Sequence, residues 1–395
     1  MSSAPEEPSW RYRGIIPADI TRCDEAASFL QSGFWGSFKA RFGWNARAFL
    51  VGWDCSGVPV ERPLLVIRRP LAFGFSFAYV PWGPELPGDT DDAKRNEFLR
   101  ELAEALQALL PENTAFIRFD PPWYTTGAET PAPPIYPPFS RSAADVQPPD
   151  TVLVDLRPAE EDILKQMKST WRHNIRLAEK RGVRVWYTGA EGLEIFYDLF
   201  RETARRDGIR IHSIEYYQIL FAHCAEYPGQ ELRLYLAEHE EAEGSRKTLA
   251  AIIVLFRKNV ATYLYGASSN EDRNLMPGYA LQWKAMTDAK AAGCTQYDLF
   301  GIPPNAAPNH PMAGLYRFKT GFGGTIIHRP GSWDFTYKPL AWRLFSVAEA
   351  LRKGMRTLKK IRKPDRLLGG SNSKLGKTTD HTDHTDRRRK TAKIL

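Results

Sequence analysis

The stretch Tyr263-Leu-Tyr-Gly-Ala-Ser-Ser269, with Pro277-Gly-Tyr-Ala-Leu-Gln-Trp-Lys-Ala-Met286 and Tyr297-Asp-Leu-Phe-Gly-Ile302 after it, decides the fold. The first block alternates and is rich in aromatic residues, which is a strand signal. Asn270–Pro277 is a polar loop of phosphate-binding size, and Pro277 with Gly278 opens a helix. Leu281, Met286 and Ala289 recur at helical spacing until Gly293, a natural C-cap, and Tyr297 begins the next strand. Gly314-Leu-Tyr-Arg-Phe-Lys-Thr-Gly-Phe-Gly-Gly324 follows as a glycine-flanked loop. Its glycines, Gly321, Gly323 and Gly324, predict a backbone that bends sharply or approaches something bulky.

Working outward, Ala48–Asp54 and Pro63–Arg69 read as strands around a turn at Cys55–Gly57, and Phe75–Val80 extends that sheet. Asp91–Leu110 is an amphipathic helix stopped by Pro111, and Ala115–Phe119 is a buried strand that delivers Asp120 to its end. Thr125–Pro149 is proline-rich, shows no helical or strand period, and reads as a linker. Strand Thr151–Leu156 and one long helix, Glu160–Arg181, then begin a second unit. It continues as strand, helix, helix, strand and hairpin up to the terminal module. The expected organisation is residues 1–149, 150–327, a return segment 328–351 packed on the first unit, and a basic, disordered tail 352–395.

Length and composition fit two ordinary soluble units: 395 residues carry no run of about 18 apolar residues of the kind that spans a membrane. The acidic N-terminus lacks the apolar core of a secretory signal. Cys23, Cys55, Cys224 and Cys294 are scattered and imply neither a metal site nor a disulfide framework. The cytoplasm is the expected compartment. From Arg352 to Leu395, 15 Lys/Arg face 4 Asp/Glu, so the whole-chain charge of +8 leaves the first 351 residues slightly acidic. A globally basic nucleic-acid binder is excluded, and any RNA contact in the body must be local.

Strand, loop, helix, strand is the order of GNAT-type acyltransferases, in which helix-start amides hold the phosphates of an acyl carrier. The usual coenzyme A signature is degenerate here: Arg273 and Gly278 are separated by an insertion containing Met276 and Pro277, and proline removes an amide donor. Trp171-Arg-His-Asn-Ile-Arg176 and the Tyr316-to-Gly324 run together resemble the Fem family of non-ribosomal peptidoglycan aminoacyltransferases, over about Phe29–Trp333. The resemblance implies a mixed α/β (α+β) fold of two tandem GNAT-like domains with a cleft between them, without the inserted coiled-coil arm of some members. It implies transfer from aminoacyl-tRNA to the stem-peptide side-chain amine of a UDP-linked or lipid-linked precursor, with no cofactor. An acyl-CoA-dependent N-acyltransferase and a non-catalytic tandem-GNAT binding module are the competing readings.

The resemblance also implies roles for particular residues. Lys319 and Phe318 carry the chemistry: the cation either balances charge as an amine attacks an ester or grips the terminal phosphate, and the aromatic stacks on the terminal adenosine. Asp120 is a positioning group and candidate base, against a plain turn aspartate. Lys39 holds a precursor diphosphate, joined by Arg210, His212 and Tyr216, where His212 stands at a position the family gives to arginine. Tyr263 and Tyr265 are cleft candidates, with core packing as the alternative. Lys168, Arg172, Arg176 and Lys180, four residues apart, form a slowly winding basic stripe suited to tRNA phosphates, against a merely solvated face. Past residue 340, Trp342, Phe345, Ala348, Leu351, Met355 and Leu358 give one apolar face among many cations. That pattern suits either an anionic membrane surface or packing on the first unit before a disordered tail.

Overall fold

A computed structural model describes residues 10–86, 91–240, 244–307, 310 and 312–361; the basic run beyond them lies outside the described residues. The first unit is built on a seven-stranded sheet. Its strands are β1 (Trp10–Ala18), β2 (Asn45–Cys55), β3 (Val58–Pro70), β4 (Ser76–Val80), β5 (Thr114–Phe119), β7 (Ser140–Arg141) and β15 (Trp333–Thr336), in the order β1-β2-β3-β4-β5-β15-β7. The second sheet has eight strands: β6 (Thr125–Thr126), β8 (Asp150–Asp155), β9 (Val183–Thr188), β10 (Gln230–Glu240), β11 (Arg246–Arg257), β12 (Val260–Ser268), β13 (Gln296–Asp298) and β14 (Thr325–His328). Their order is β6-β14-β8-β13-β12-β11-β10-β9.

Among the described residues, nine α-helices cover the sheets: α1 (Gly33–Ala40), α2 (Asp92–Leu109), α3 (Glu160–Gln166), α4 (Ser169–Lys180), α5 (Leu193–Asp207), α6 (Ile214–Ala225), α7 (Pro277–Ala291), α8 (Ala313–Thr320) and α9 (Pro339–Ile361). Each sheet contains one parallel pair, β4/β5 and β12/β13, and each pair is joined through a helix, α2 or α7. A parallel pair needs such a crossover, because a tight turn reverses direction. The architecture is the mixed α/β, tandem GNAT-like plan expected from the sequence.

The two units share packing. Phe29, Phe34, Trp35 and Phe38 of the first bury against Phe196, Tyr216, Tyr217 and Phe221 on α5 and α6. The proline-rich segment expected to be an unstructured linker instead gives β6 to the second sheet and β7 to the first. Two-residue strands are too short to show a period. β14 leads through four residues into β15, which pairs with β5 of the first sheet.

The long helix expected over Glu160–Arg181 is two helices. Met167 and Lys168 are extended at the break, and the Lys168 N–H donates to the carbonyl of Gly321 (3.0 Å). The glycine run explains the break. A side chain on Gly321 would overlap the Trp171 indole, and one on Gly323 would meet the Gln166 carbonyl at 2.8 Å. Gly323 and Gly324 also hold left-handed φ values of 79° and 86°. The bulky group that these glycines approach is Trp171, whose Nε1 donates to the Phe318 carbonyl (2.9 Å).

Candidate active site

Phe318 and Lys319 lie on the last turn of α8 and not in a loop. Residues 313–320 are long enough for a helix, but the glycines crowding their end mask its signal. Lys319 points inward, 6% exposed, and its Nζ donates to the carbonyls of Phe300 (2.8 Å) and Gly301 (3.0 Å). The Tyr263 ring lies beneath it, 4.9 Å from the cation to the centroid. Burial pulls the ammonium down to about 7, against the opposing pull of Asp298. Phe300 itself sits at a left-handed φ of 53°, so the lysine braces a strained residue whose ring touches Phe29 and Trp82 across the units.

Asp298, at the end of β13, opens onto a cavity of about 220 Å³ between the units, lined also by Trp82, Tyr124, Arg257, Thr262 and Arg329. Its Oδ1 accepts from the Thr151 hydroxyl (2.5 Å) and the Phe300 N–H (2.7 Å). Arg329 is 8% exposed and its guanidinium stacks 3.9 Å from the Trp82 centroid, and among the described residues its Nε has no hydrogen-bond partner. Burial lowers its affinity for a proton, and Asp298, Tyr124, Asp150 and Asp120 oppose that effect. A buried guanidinium with an idle donor is suited to an anionic ligand group. Neither Asp298 nor Arg329 stands out in the sequence; both come from strand ends in the second sheet, and only the fold brings them together.

Phe318 does not present a free ring. It packs edge-on against Tyr279 (5.3 Å) and Phe322 (5.1 Å), and lies over Gly278 at the start of α7. The helix end that would hold an acyl carrier's phosphates is therefore covered by an aromatic cluster. Asp120 is buried, with its oxygens accepting from Tyr79, Ser332 and the Gln147 N–H (3.2 Å). Burial raises its carboxyl to about 6, despite these bonds from Ser332 and Tyr79.

A second cluster assembles around Lys39 on α1. Its ammonium lies 5.3, 5.6 and 5.8 Å from the ring centroids of Trp35, Trp44 and Tyr216. His212 stacks on Tyr216 at 3.8 Å, and Tyr217 lies edge-on to both Tyr216 (5.4 Å) and Tyr265 (5.1 Å). Burial, reinforced by Arg69, lowers Lys39 to about 8; burial and Lys39 together lower His212. Arg69 and Arg210 line a neighbouring groove. Lys39, His212, Tyr216 and Tyr265 thus come together, with Arg69 as a further cation that no motif singles out.

Residues two apart on a regular strand share a face, but Tyr263 and Tyr265 do not. A register shift in the β11/β12 ladder, where Ile253 pairs Tyr265 and Val254 pairs Tyr263, leaves Leu264 as an extra residue. Tyr263 joins the core beside Lys319, while Tyr265 joins the one beside Tyr216. The basic stripe is also divided. Arg172 turns back to donate to the carbonyls of Lys165 (3.2 Å) and Met167 (2.5 Å), capping α3, whereas Lys168, Arg176 and Lys180 stay exposed.

Two tandem units, each with a parallel strand–helix–strand pair, meeting at a small cavity, define a protein of the tandem GNAT-like class. A family model described as the FemAB family matches residues 138–240 and 230–350, more than half of the chain. The chain belongs to the FemAB family. Among its relatives, a protein named lipid II:glycine glycyltransferase from Staphylococcus aureus (strain COL) is 23% identical over 393 residues, covering 82% of this chain and 92% of the relative. One of that name from Staphylococcus saprophyticus is 24% identical over 371 residues, 78% of this chain and 87% of the relative. Against the Staphylococcus epidermidis (strain RP62A) protein of that name, 24% identity extends over 53% of this chain and only 63% of the relative. The crystal structure of FemX shares the fold, with a TM-score of 0.67 at 19% identity over 85% of this chain and all of that one.

Proposed function

We propose that this chain is an aminoacyltransferase that moves an amino acid from aminoacyl-tRNA to the stem-peptide side-chain amine of a lipid-linked peptidoglycan precursor. The observation that carries the reading is Lys319: a buried cation near neutrality, beside the Asp298–Arg329 cavity, in a FemAB member with relatives named for lipid II and glycine. The acceptor nitrogen attacks the ester carbonyl, a C–N bond forms, and the C–O bond to the tRNA ribose breaks. One proton must pass from that nitrogen to the leaving oxygen. A lysine held at about 7 exists in both protonation states at neutral pH and is matched to that transfer. Lys39, Arg69, Arg210, His212 and Tyr216 form the acceptor-side cluster, with cations for the diphosphate and rings for the sugar. Lys168, Arg176 and Lys180 are the tRNA contacts, and catalysis acts mainly by bringing the reactants together. Aminoacyl transfer takes place at the cytoplasmic face of the membrane.

Labelled aminoacyl-tRNAs, supplied as a panel with glycyl-tRNA included, test this directly with lipid-linked and UDP-linked precursors as acceptors. Label moving to the lipid-linked acceptor is expected. Transfer from acetyl-CoA instead would make the chain an ordinary acyl-CoA enzyme, and transfer from neither would make it a binding module.

Lys39 sets a pH dependence for acceptor binding. Its lowered proton affinity means the charge is present below about 8 and lost above it. Precursor affinity is expected to be level from neutral pH to that point and then to weaken by up to about tenfold per unit above it. Isothermal titration across this range, with Lys39→Met weak throughout, checks the assignment; a wild-type affinity that is flat to alkaline pH removes Lys39 from the diphosphate site.

A further inference from the structure

The face of the molecule formed by α9 and the β3–β4 loop has no role in the chemistry above. Along α9, Leu340, Leu344, Val347, Leu351 and Met355 recur at steps of four, three, four and four, and they are 56–78% exposed. Such spacing places them on one side of the helix. The opposite side is occupied: Phe345 packs on Phe77 (5.7 Å) and Phe116 (5.1 Å), and Trp342 Nε1 donates to Asp334 (3.0 Å). The single apolar face expected from the sequence is therefore two. Trp342, Phe345 and Ala348 turn toward the sheet or the groove described below, and a second stripe faces outward. Leu358 lies beyond the side chains described.

Across from α9, the loop between β3 and β4 carries Phe73 at its tip, 92% exposed at a left-handed φ of 59°. The Leu71 N–H donates to the Phe75 carbonyl (2.6 Å) and closes the loop, so Phe73 is held outward. Between loop and helix runs a groove of about 610 Å³, with Phe75, Phe77 and Phe345 among its apolar walls. Arg69, Arg210 and Arg352 also line it. The carboxylate in the groove, Glu349, is held by Arg118, so among the described residues these three arginines have no acidic partner. Arg69 and Arg352 are close enough for each charge to act on the other.

We propose that the outward face of α9, Phe73 and the arginine-rimmed groove between them form a docking surface for an anionic phospholipid bilayer. Apolar side chains that stand out from a rigid helix and a closed loop tip enter the interfacial layer, and the arginines meet lipid phosphates. The charge pattern selects this occupant over a second copy of the chain, since a two-fold contact through this face would set arginines against arginines. After residue 361 the sequence has ten more Lys/Arg against four Asp, which adds to the attraction for an anionic surface. The surface holds none of the proposed catalytic residues, and although Arg69 and Arg210 are shared with the acceptor-side cluster, the test below substitutes neither.

Flotation of the full chain with vesicles of equimolar phosphatidylglycerol and phosphatidylcholine tests it, with pure phosphatidylcholine as the comparison. Wild type is expected to float with the anionic vesicles and to be released by high salt. The exposed-site variant F73S/L344E/L351E, unchanged in thermal midpoint, is expected to partition at least about tenfold less. Arg352→Glu should weaken binding to anionic vesicles while keeping its fold. Equal partitioning of wild type and the triple variant, or no flotation of wild type, overturns the proposal. So does a wild-type dimer in sedimentation velocity that the triple variant dissociates without any vesicle binding.

Discussion

Lys319→Met is expected to lower turnover by about 100- to 1,000-fold while leaving precursor affinity nearly unchanged, the loss typical of removing one preorganised transition-state donor. Methionine keeps the length of the stem, so the comparison isolates the amine. Because the Nζ also braces Phe300 and Gly301, a thermal midpoint must accompany the kinetics. That measurement has its own sign. Burial lowers the native ammonium to about 7, whereas an unfolded lysine titrates near 10.4. Between those values the unfolded state binds more protons, so wild-type stability rises with pH across that window. The variant lacks this dependence. Its midpoint relative to wild type should therefore be more favourable at pH 6 than at pH 9. Lys319→Arg, which stays charged, should also lose any bend in log kcat near neutrality. Near-normal turnover in Lys319→Met with an intact fold removes the catalytic role; a stability difference independent of pH removes the perturbed lysine.

How much of this was legible beforehand follows from range. The module from Tyr263 to Tyr297 could be read because it is local: alternation, a Pro-Gly start and a glycine stop each lie within a few residues of what they control. The tandem plan followed from the resemblance carried by the Trp171–Arg176 and Tyr316–Gly324 motifs. The break at Met167–Lys168 was hidden because the periodicity continues through it, and its cause is Gly321, about 150 residues away. Similarly, the bulge at Leu264 cannot be seen in an alternating sequence, yet it decides which tyrosine meets Lys319. Asp298 and Arg329 are ordinary residues in sequence. Their cavity exists only because β13 and the segment after β14 converge on Trp82 and Tyr124 of the first unit. Motif-borne side chains were therefore readable singly, and their neighbours were not.

Arg118→Ala is expected to cost about 3–5 kcal/mol of folding stability, because it strands two buried carboxylates. Arg118 sits on β5, where Nε and Nη2 donate to Asp334 (2.7 and 3.0 Å) and Nη1 and Nη2 donate to Glu349 (2.9 and 3.0 Å). All three side chains are nearly inaccessible. Asp334 lies on β15 and Glu349 on α9, so one guanidinium ties both returning elements to the first sheet. Arg118→Lys should fall well short of wild type, since an ammonium cannot present two parallel donors to each of two carboxylates. The charges are what make the loss large, and this can be separated from packing. Replacing the whole triad as R118M/D334N/E349M removes the stranded charges and leaves an oxygen for the Trp342 indole, so it should be less destabilised than Arg118→Ala alone. Urea unfolding followed by tryptophan fluorescence gives both numbers. A loss under about 1 kcal/mol for Arg118→Ala would mean that α9 is held by Phe345 and its neighbours and not by the ion triad. A triple variant worse than the single one would mean that the triad earns its place by net attraction, against the desolvation argument made here.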